Sequence, residues 1–475
     1  MASSVHGVEQ SSGVSGGSTP IDLINMLDND CLKIIFLNLP PGDKLNVEKV
    51  CKRWRAVSKI SWSNVQRLNL TKSTIGETDY DQLPDIHKNI QSMMKILRRC
   101  GRYLRVLKLG RPCHYTVIPF ALEHCENLVT LNISLYPAEC DMSSISEITS
   151  LKSFSLEQMT NRSDSAIFRV LPRETLRGFH LRASEYAYDI DTGERLNLPN
   201  NYENYLRNVN NLVSIKLHHF HLDHAMEEII SRNINLDFLS LSNCMINGPF
   251  FLTALRNLKI LDLENVSSIH NIFLDQLSRT CYRLTNLNLK YCHRVDDYGV
   301  MYLWQLPELE ILNLDHMGRI TDVSLIGFYN LRLLSCRNCR GIKDAEVITL
   351  IRIAHNLKTF DLRGTSITHK VLIEANEITK RRVDDVPLRI YVDTSVIANW
   401  VVNKDSPLLI VQSTDDVANP RGSRGERVCG EDDVQYEADY QFQYEYGSDS
   451  EPDDCGDDGS GHATTTETGT SDSDQ

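Results

Sequence analysis

The sequence predicts an α/β fold in which three short N-terminal helices precede a curved solenoid, with a parallel β-sheet on its concave side and helices on its convex side. Three observations support this prediction. One short apolar pattern recurs twelve times, two helical stripes of apolar residues precede it, and both ends of the chain are polar. The expected segments are a disordered terminus at 1–19, a helical domain at 20–62, the repeats at 63–411 and an acidic disordered tail at 412–475.

The segment from 20 to 62 has the spacing of short helices. Its first apolar stripe follows the i, i+3, i+4, i+7 rule, and the run PPGD at 40–43 separates it from a second stripe. A segment of this length is too short to bury both stripes in an independent core. Some apolar surface should therefore remain for a partner. The two stripes comprise Leu32, Ile35, Phe36 and Leu39, followed by Val47, Val50, Cys51 and Trp54.

The repeat is the pattern L-x-x-L-x-L, in which Ile, Phe or Cys sometimes replaces Leu. Its alternation predicts a strand with one buried face, which is stable only when copies stack into a parallel sheet. The segments VDDYGVMYLWQL and KDAEVITLIRI, which lie between strands, have helical spacing and should form the outer layer. A degenerate strand near Leu388 is expected to close the stack. The copies begin at Val65, Leu104, Leu128, Leu151, Leu176, Leu212, Leu236, Leu258, Leu284, Leu309, Leu331 and Leu357.

The net charge of −13 is unevenly distributed. From Thr414 onward there are 18 Asp and Glu against three Arg, so this segment carries −15 and the remainder +2. Neither part has the basic excess of a nucleic-acid binder. No stretch reaches 18 consecutive apolar residues, and the N-terminus lacks the pattern of a secretory signal. We therefore expect a soluble protein of the cytoplasm, the nucleus or both, without a membrane partner.

Two groups of side chains have spacings that occur in metal or redox sites. Cys336 and Cys339 form a C-x-x-C, and four histidines lie within 218–224. The repeat explains the cysteines more simply, because Cys336 stands at a Leu position, and the histidines should point in different directions. A metal site at either group is the alternative. Since no phosphate loop, GxSxG or HExxH motif occurs, the sequence predicts no catalytic residue, no cofactor and no metal.

A second set of matches extends over residues 21–62. Ile35-Phe36, Leu39-Pro40, Asp43, the run VCKRWR at 50–55 and Trp62 resemble the F-box motif. Three positions depart from the family pattern: Asp28 replaces a usual Pro, Asp30 a usual Glu and Lys44 a usual Leu. The repeats resemble the cysteine-containing subtype of leucine-rich repeats. Its Cys position is occupied by Cys244, Cys292 and Cys339, and by Met317 and Thr365 in other copies.

This resemblance implies the substrate-recognition subunit of a Skp–cullin–F-box ubiquitin ligase. The F-box would dock on the Skp adaptor, which a cullin scaffold with its RING subunit holds, and the solenoid would bind the protein substrate. The chain would be non-catalytic and act by proximity. The implied adaptor contacts are Leu27, Leu32, Ile35, Phe36, Leu39, Pro40, Val50, Cys51 and Trp54.

Substrate contacts are expected on the concave face, where side chains alternate with the core leucines. On the C-terminal rungs these side chains carry both signs of charge, which suits a protein partner. The alternative is a scaffold or inhibitor that acts outside a ligase, which Asp28 and Asp30 favour. The identity of the substrate, its degron and the role of the acidic tail stay open. The predicted contacts are Asn288, Lys290, Asn313, Asp315, Arg337, Asp361 and Arg363.

Overall fold

A computed structural model describes most of the chain between residues 23 and 413. The described residues are 23–72, 78–134, 140–160, 163, 166–184, 195–246, 250, 252–382, 386–400 and 406–413. The terminus predicted to be disordered at 1–19 lies outside them, as does the tail predicted at 412–475 except for its first two residues.

Three helices form the N-terminal domain: α1 (Asn29–Leu37), α2 (Pro41–Val50) and α3 (Lys52–Ser61). Asp28 caps α1, because its carboxylate accepts a hydrogen bond from the backbone N–H of Cys31 at 2.7 Å. Pro41 stands in the first turn of α2, where its missing N–H removes no helical hydrogen bond. The helical N-terminal domain is confirmed.

The remaining chain is organised around short strands. One sheet contains fourteen of them in parallel, ordered β1-β2-β3-β4-β5-β7-β9-β11-β12-β13-β14-β15-β16-β17. The strands are β1 (Arg67–Leu70), β2 (Val106–Leu109), β3 (Thr130–Ile133), β4 (Ser153–Met159), β5 (Gly178–Ala183), β6 (Leu196–Asn197), β7 (Ser214–His218), β8 (Phe220–Leu222), β9 (Phe238–Ser240), β10 (Met245–Ile246), β11 (Ile260–Asp262), β12 (Asn286–Asn288), β13 (Ile311–Asn313), β14 (Leu333–Ser335), β15 (Thr359–Asp361), β16 (Leu388–Tyr391) and β17 (Leu409–Gln412).

Each of the twelve predicted repeats supplies a strand to this sheet, so the solenoid is confirmed. The expectation that the strand near Leu388 closes the stack is wrong, because β17 pairs with β16 beyond it. A second, three-stranded sheet of order β10-β8-β6 was not predicted. Its strands are only two or three residues long, too short to leave an alternating pattern.

Helices occupy the connections between strands, and neighbours such as α12 and α13 pack side by side. The two segments predicted as outer helices become α11 and α12. No helix in the described part of the chain is long and apolar enough to cross a bilayer. The helices of the solenoid are α4 (Asp79–Gln82), α5 (Ile90–Cys100), α6 (Val117–His124), α7 (Ala166–Arg169), α8 (Tyr202–Leu206), α9 (His224–Arg232), α10 (Asn271–Thr280), α11 (Asp297–Tyr302), α12 (Asp344–Ile353), α13 (His369–Thr379) and α14 (Thr394–Ala398).

In three rungs the cysteine of the repeat subtype forms a hydrogen bond to the preceding rung. The thiol of Cys244 donates to the backbone oxygen of Leu217 at 3.0 Å, and that of Cys339 donates to Leu314 at 3.0 Å. Cys292 makes the equivalent bond at 3.2 Å. A small side chain that is apolar yet carries a weak donor suits this buried position.

Candidate functional site

The N-terminal domain has a very small core. Leu32, Phe36 and Val57 are each at most 6% exposed, and the rings of Phe36 and Trp54 lie 5.2 Å apart between centroids. Leu32 and Phe36 were predicted to contact an adaptor. Their side chains instead face inward and hold the three helices together, so they support the surface of the domain without forming it.

Other apolar side chains of this domain face solvent. Ile35 is 41% exposed and Val50 is 61% exposed, and the predicted Cys51 is exposed as well. The sequence reasoning missed Ile34 and Ile60, which are 61% and 52% exposed. Their signal was available, since both are apolar residues that lie off the buried helical stripe. The remaining predicted contacts are half-buried: Leu27, Leu39, Pro40 and Trp54.

Buried polar contacts join this domain to the first repeats. Trp62 is fully buried within the solenoid core, and its indole Nε1 donates to Glu48 Oε1 at 2.9 Å. Arg99, from α5 of the solenoid, pairs with the other oxygen of Glu48 at 2.9 Å. Since one carboxylate of α2 binds partners beyond the helical domain, the domain and the solenoid share a packed joint.

Lys44 ties the three helices together from inside. It is 1% exposed, and its Nζ donates to the backbone oxygens of Leu37 at 3.1 Å and Ser61 at 2.8 Å and to Asn64 Oδ1 at 2.7 Å. Burial lowers the pKa of Lys44 to about 8. A lysine at the position usually held by leucine is thus accommodated by three acceptors.

The concave side of the sheet carries a ladder of polar side chains that bond from strand to strand. Asp262 accepts from Ser240 Oγ at 2.7 Å and from Asn288 Nδ2 at 2.9 Å. Asp315 accepts from Ser335 Oγ at 2.5 Å. Burial raises the pKa of both carboxyl groups, Asp262 and Asp315, to about 6. Many polar side chains of the concave face are therefore already hydrogen-bonded to one another.

The predicted substrate contacts therefore fall into two groups. Three of them are buried in the ladder and at most 5% exposed: Asn288, Asp315 and Asp361. This burial differs from the expectation of an open contact surface, because lateral neighbours cover these short side chains. The other four are partly exposed: Lys290, Asn313, Arg337 and Arg363.

The buried group positions the exposed one. Asp361 accepts from Arg363 Nε at 2.9 Å, and Asp315 accepts from the backbone N–H of Arg337 at 2.8 Å. Beside them, the rings of Tyr291 and His316 stack with 4.3 Å between centroids. Sequence reasoning missed this pair, although the two residues hold the same place in successive repeats.

Neither candidate metal site assembles. His218 lies 3.0 Å from Ser240 Oγ, His221 lies 2.7 Å from Asn197 Oδ1, and His224 points outward to Glu227. Cys336 is fully buried in the core at a leucine position. Within the residues that the structure describes, no group of three or more His, Cys, Asp or Glu side chains is placed to hold a metal ion.

Comparison with known proteins bears on the N-terminal domain first. A family model for the F-box domain matches residues 24–66. The F-box/LRR-repeat protein 17 of Arabidopsis thaliana is 22% identical over 338 residues, which is 70% of this chain and 42% of that protein. The chain thus spans less than half the length of this relative.

Two solved structures are similar over most of the chain. One is a chain from the crystal structure of the Rad7 and Elc1 complex in yeast, with a TM-score of 0.45, 14% identity and coverage of 84% of this chain and 96% of that one. An internalin from Listeria monocytogenes gives a TM-score of 0.40 at 14% identity, covering 70% and 91%. At 14% identity, both comparisons concern the backbone alone.

Helices α1 to α3 coincide with the F-box match, and the fourteen-stranded parallel sheet that follows is built from leucine-rich repeats. The curated relative carries the same two parts in its name. The chain therefore combines an F-box domain at residues 24–66 with a solenoid of leucine-rich repeats.

Proposed function

We propose that this chain is the substrate-receptor subunit of a Skp–cullin–F-box ubiquitin ligase. The observation that carries the proposal is the F-box at residues 24–66, whose exposed apolar side chains leave surface for a partner to cover. In this proposal the F-box binds the Skp adaptor and, through it, the cullin scaffold and the RING subunit.

The packed joint supports a receptor role. Since Trp62 and Leu45 belong to the core of the solenoid, a protein held by the repeats keeps a fixed orientation relative to the F-box. A ligase of this kind works by raising the local concentration of a target lysine near a charged thioester. In this proposal the chain contributes position and no catalytic side chain.

The substrate is proposed to bind the concave face at its C-terminal rungs. Lys290, Asn313, Arg337 and Arg363 offer partly exposed polar and cationic groups there. The stacked rings of Tyr291 and His316 add a flat surface of the kind enriched in protein interfaces. Asn288, Asp315 and Asp361 act behind them as positioning residues.

The test is co-purification of the full chain with a Skp adaptor and a cullin. The variant Ile35→Glu/Val50→Glu changes only exposed side chains of the F-box, so it should fold and lose the adaptor. Its matched control is Ile234→Glu/Ile272→Glu, which changes two isoleucines of the solenoid that are 57% and 63% exposed. The control should retain the adaptor.

The alternative is a repeat scaffold or inhibitor outside a ligase. Asp28 and Asp30 favour it, because they place two exposed carboxylates at the start of α1, where the family usually has Pro and Glu. If the folded wild-type chain recovers no adaptor in the same experiment, the ligase proposal fails and this alternative stands.

A further inference from the structure

A cleft of about 670 Å³ lies where the F-box meets the first repeats. Lys49 and Arg55 line its F-box side, and Lys95, Arg98 and Arg99 of α5 line the solenoid side. Cations thus stand on both walls. Like charges that face each other across a cleft destabilise the joint unless an anion lies between them.

The charge of this cleft is not neutralised from within. Glu48 is the one acidic residue among those that line it, and its two oxygens already bind Trp62 and Arg99. No carboxylate in the described part of the chain pairs with Lys49, Lys95 or Arg98. Lys49 Nζ lies 3.5 Å from His87 Nε2, and the Arg98 guanidinium lies 5.3 Å from the centroid of the Phe120 ring. Neither contact neutralises the positive charge.

A buried histidine also lines the cleft. His87 is 4% exposed and places its Nε2 2.7 Å from Asn46 Oδ1. Burial lowers the pKa of His87, and the neighbouring cations of Lys49 and Lys95 lower it further. The lowered pKa favours the neutral imidazole, which adds no charge to the cleft.

We propose that this cleft binds a small anion with two or more phosphate groups, which bridges the F-box and the solenoid. Ammonium and guanidinium groups are the side chains that bind phosphate oxygens most strongly, and the volume falls within the range of small-molecule sites. Cations on both walls favour an anion that carries more than one phosphate group. None of the residues that line the cleft is among the proposed adaptor or substrate contacts.

The test is titration of the full chain with sodium tripolyphosphate by calorimetry. The variant Lys95→Gln/Arg98→Gln should bind at least about tenfold more weakly, since each lost charge-assisted hydrogen bond weakens binding by about that factor. The control Arg256→Gln/Lys343→Gln makes the same change in net charge at exposed positions outside the cleft and should bind like the wild type. Lys49→Gln, on the opposite wall, should weaken binding as well.

Melting curves without ligand establish that each variant is folded, and tripolyphosphate should raise the melting temperature of the wild type more than that of Lys49→Gln. Inorganic phosphate should bind more weakly than tripolyphosphate. The proposal is overturned if the wild type shows no binding, or if the control pair loses as much affinity as the cleft pair. Binding of a hexaglutamate peptide as tight as that of tripolyphosphate would also overturn it, in favour of an acidic peptide.

Discussion

The solenoid and the F-box bury their apolar residues to different degrees. Leu287 and Leu312, on neighbouring rungs, are fully buried because each repeat covers the next. The F-box hides Phe36 but leaves Ile34 and Val50 61% exposed. The repeats therefore complete their core within the chain, whereas three short helices do not. Single exposed isoleucines also occur in the solenoid, but in the F-box four exposed apolar side chains lie within residues 34–60.

Loss of the joint should have the largest effect on stability. Trp62→Ala removes a fully buried indole and leaves Glu48 without one donor, so we expect the free energy of unfolding to fall by about 3–5 kcal/mol. Urea denaturation followed by circular dichroism measures this loss. Ile60→Ala, at a 52% exposed site, should change it by less than about 0.5 kcal/mol. Equal effects of the two substitutions would show that the joint contributes little.

The polar ladder should give the solenoid a pH dependence of its own. Because burial raises the pKa of Asp262 from 3.8 to about 6, the folded chain binds this proton more tightly than the unfolded chain does. The contribution of Asp262 to stability should thus be largest below pH 4, decline as the pH rises to about 6 and stay constant above it. Its size is on the order of 1–3 kcal/mol.

Asp262→Asn isolates this contribution. The difference in unfolding free energy between wild type and variant, measured by urea denaturation at pH 4 and pH 7, should change by that amount. A difference that stays constant between the two pH values would mean that the carboxyl group does not titrate in this range.

Lateral bonds between outer connections should contribute less. Asp297 of α11 accepts from the backbone N–H of Thr321 at 2.7 Å and from its hydroxyl at 2.8 Å. Asp297→Ala should lower the unfolding free energy by about 1–2 kcal/mol, as the loss of a cap-like pair of hydrogen bonds does. Hydrogen exchange should place the loosening in the rungs around β13 and leave α1 to α3 protected. Exchange that increases in α1 to α3 instead would contradict a local effect.

The smallest effect on stability is expected at Ile34. Ile34→Ser changes an exposed side chain, so the unfolding free energy should move by less than about 0.5 kcal/mol. Recovery of the Skp adaptor should fall nonetheless, because Ile34 belongs to the surface left open. A stable variant that recovers as much adaptor as the wild type would remove Ile34 from the proposed contact.

The repeats could be located from the sequence because each strand carries the same alternation of buried apolar and outward-facing residues. β17 was missed because LLIVQ at 408–412 lacks the full L-x-x-L-x-L pattern of the other copies. In the F-box, periodicity grouped Ile35 with Leu32 and Phe36, although α2 and α3 cover only part of the surface of α1. Spacing identifies a stripe, but the packed neighbours decide how wide its buried part is.

The concave face shows a second limit. Alternation correctly directs Asp262, Asp315 and Asp361 away from the leucine core. It cannot show that Ser240, Ser335 and similar side chains on adjacent strands will cover those carboxylates. These contacts join residues 20 to 26 positions apart, so they depend on the register of the sheet.

Because the F-box and the first repeats share one core, the number of rungs sets the distance between the F-box and any later rung. Trp62 and Leu45 pack with the first repeats, so α1 to α3 move with the sheet as one piece. Neighbouring strands are spaced ~4.8 Å apart, so each rung moves the later rungs away from the F-box by one such step. Adding or deleting a repeat before β12 would shift the Tyr291–His316 surface by that increment without altering its chemistry. The number of repeats therefore sets the distance between the F-box and this surface, while the side chains of the surface stay the same.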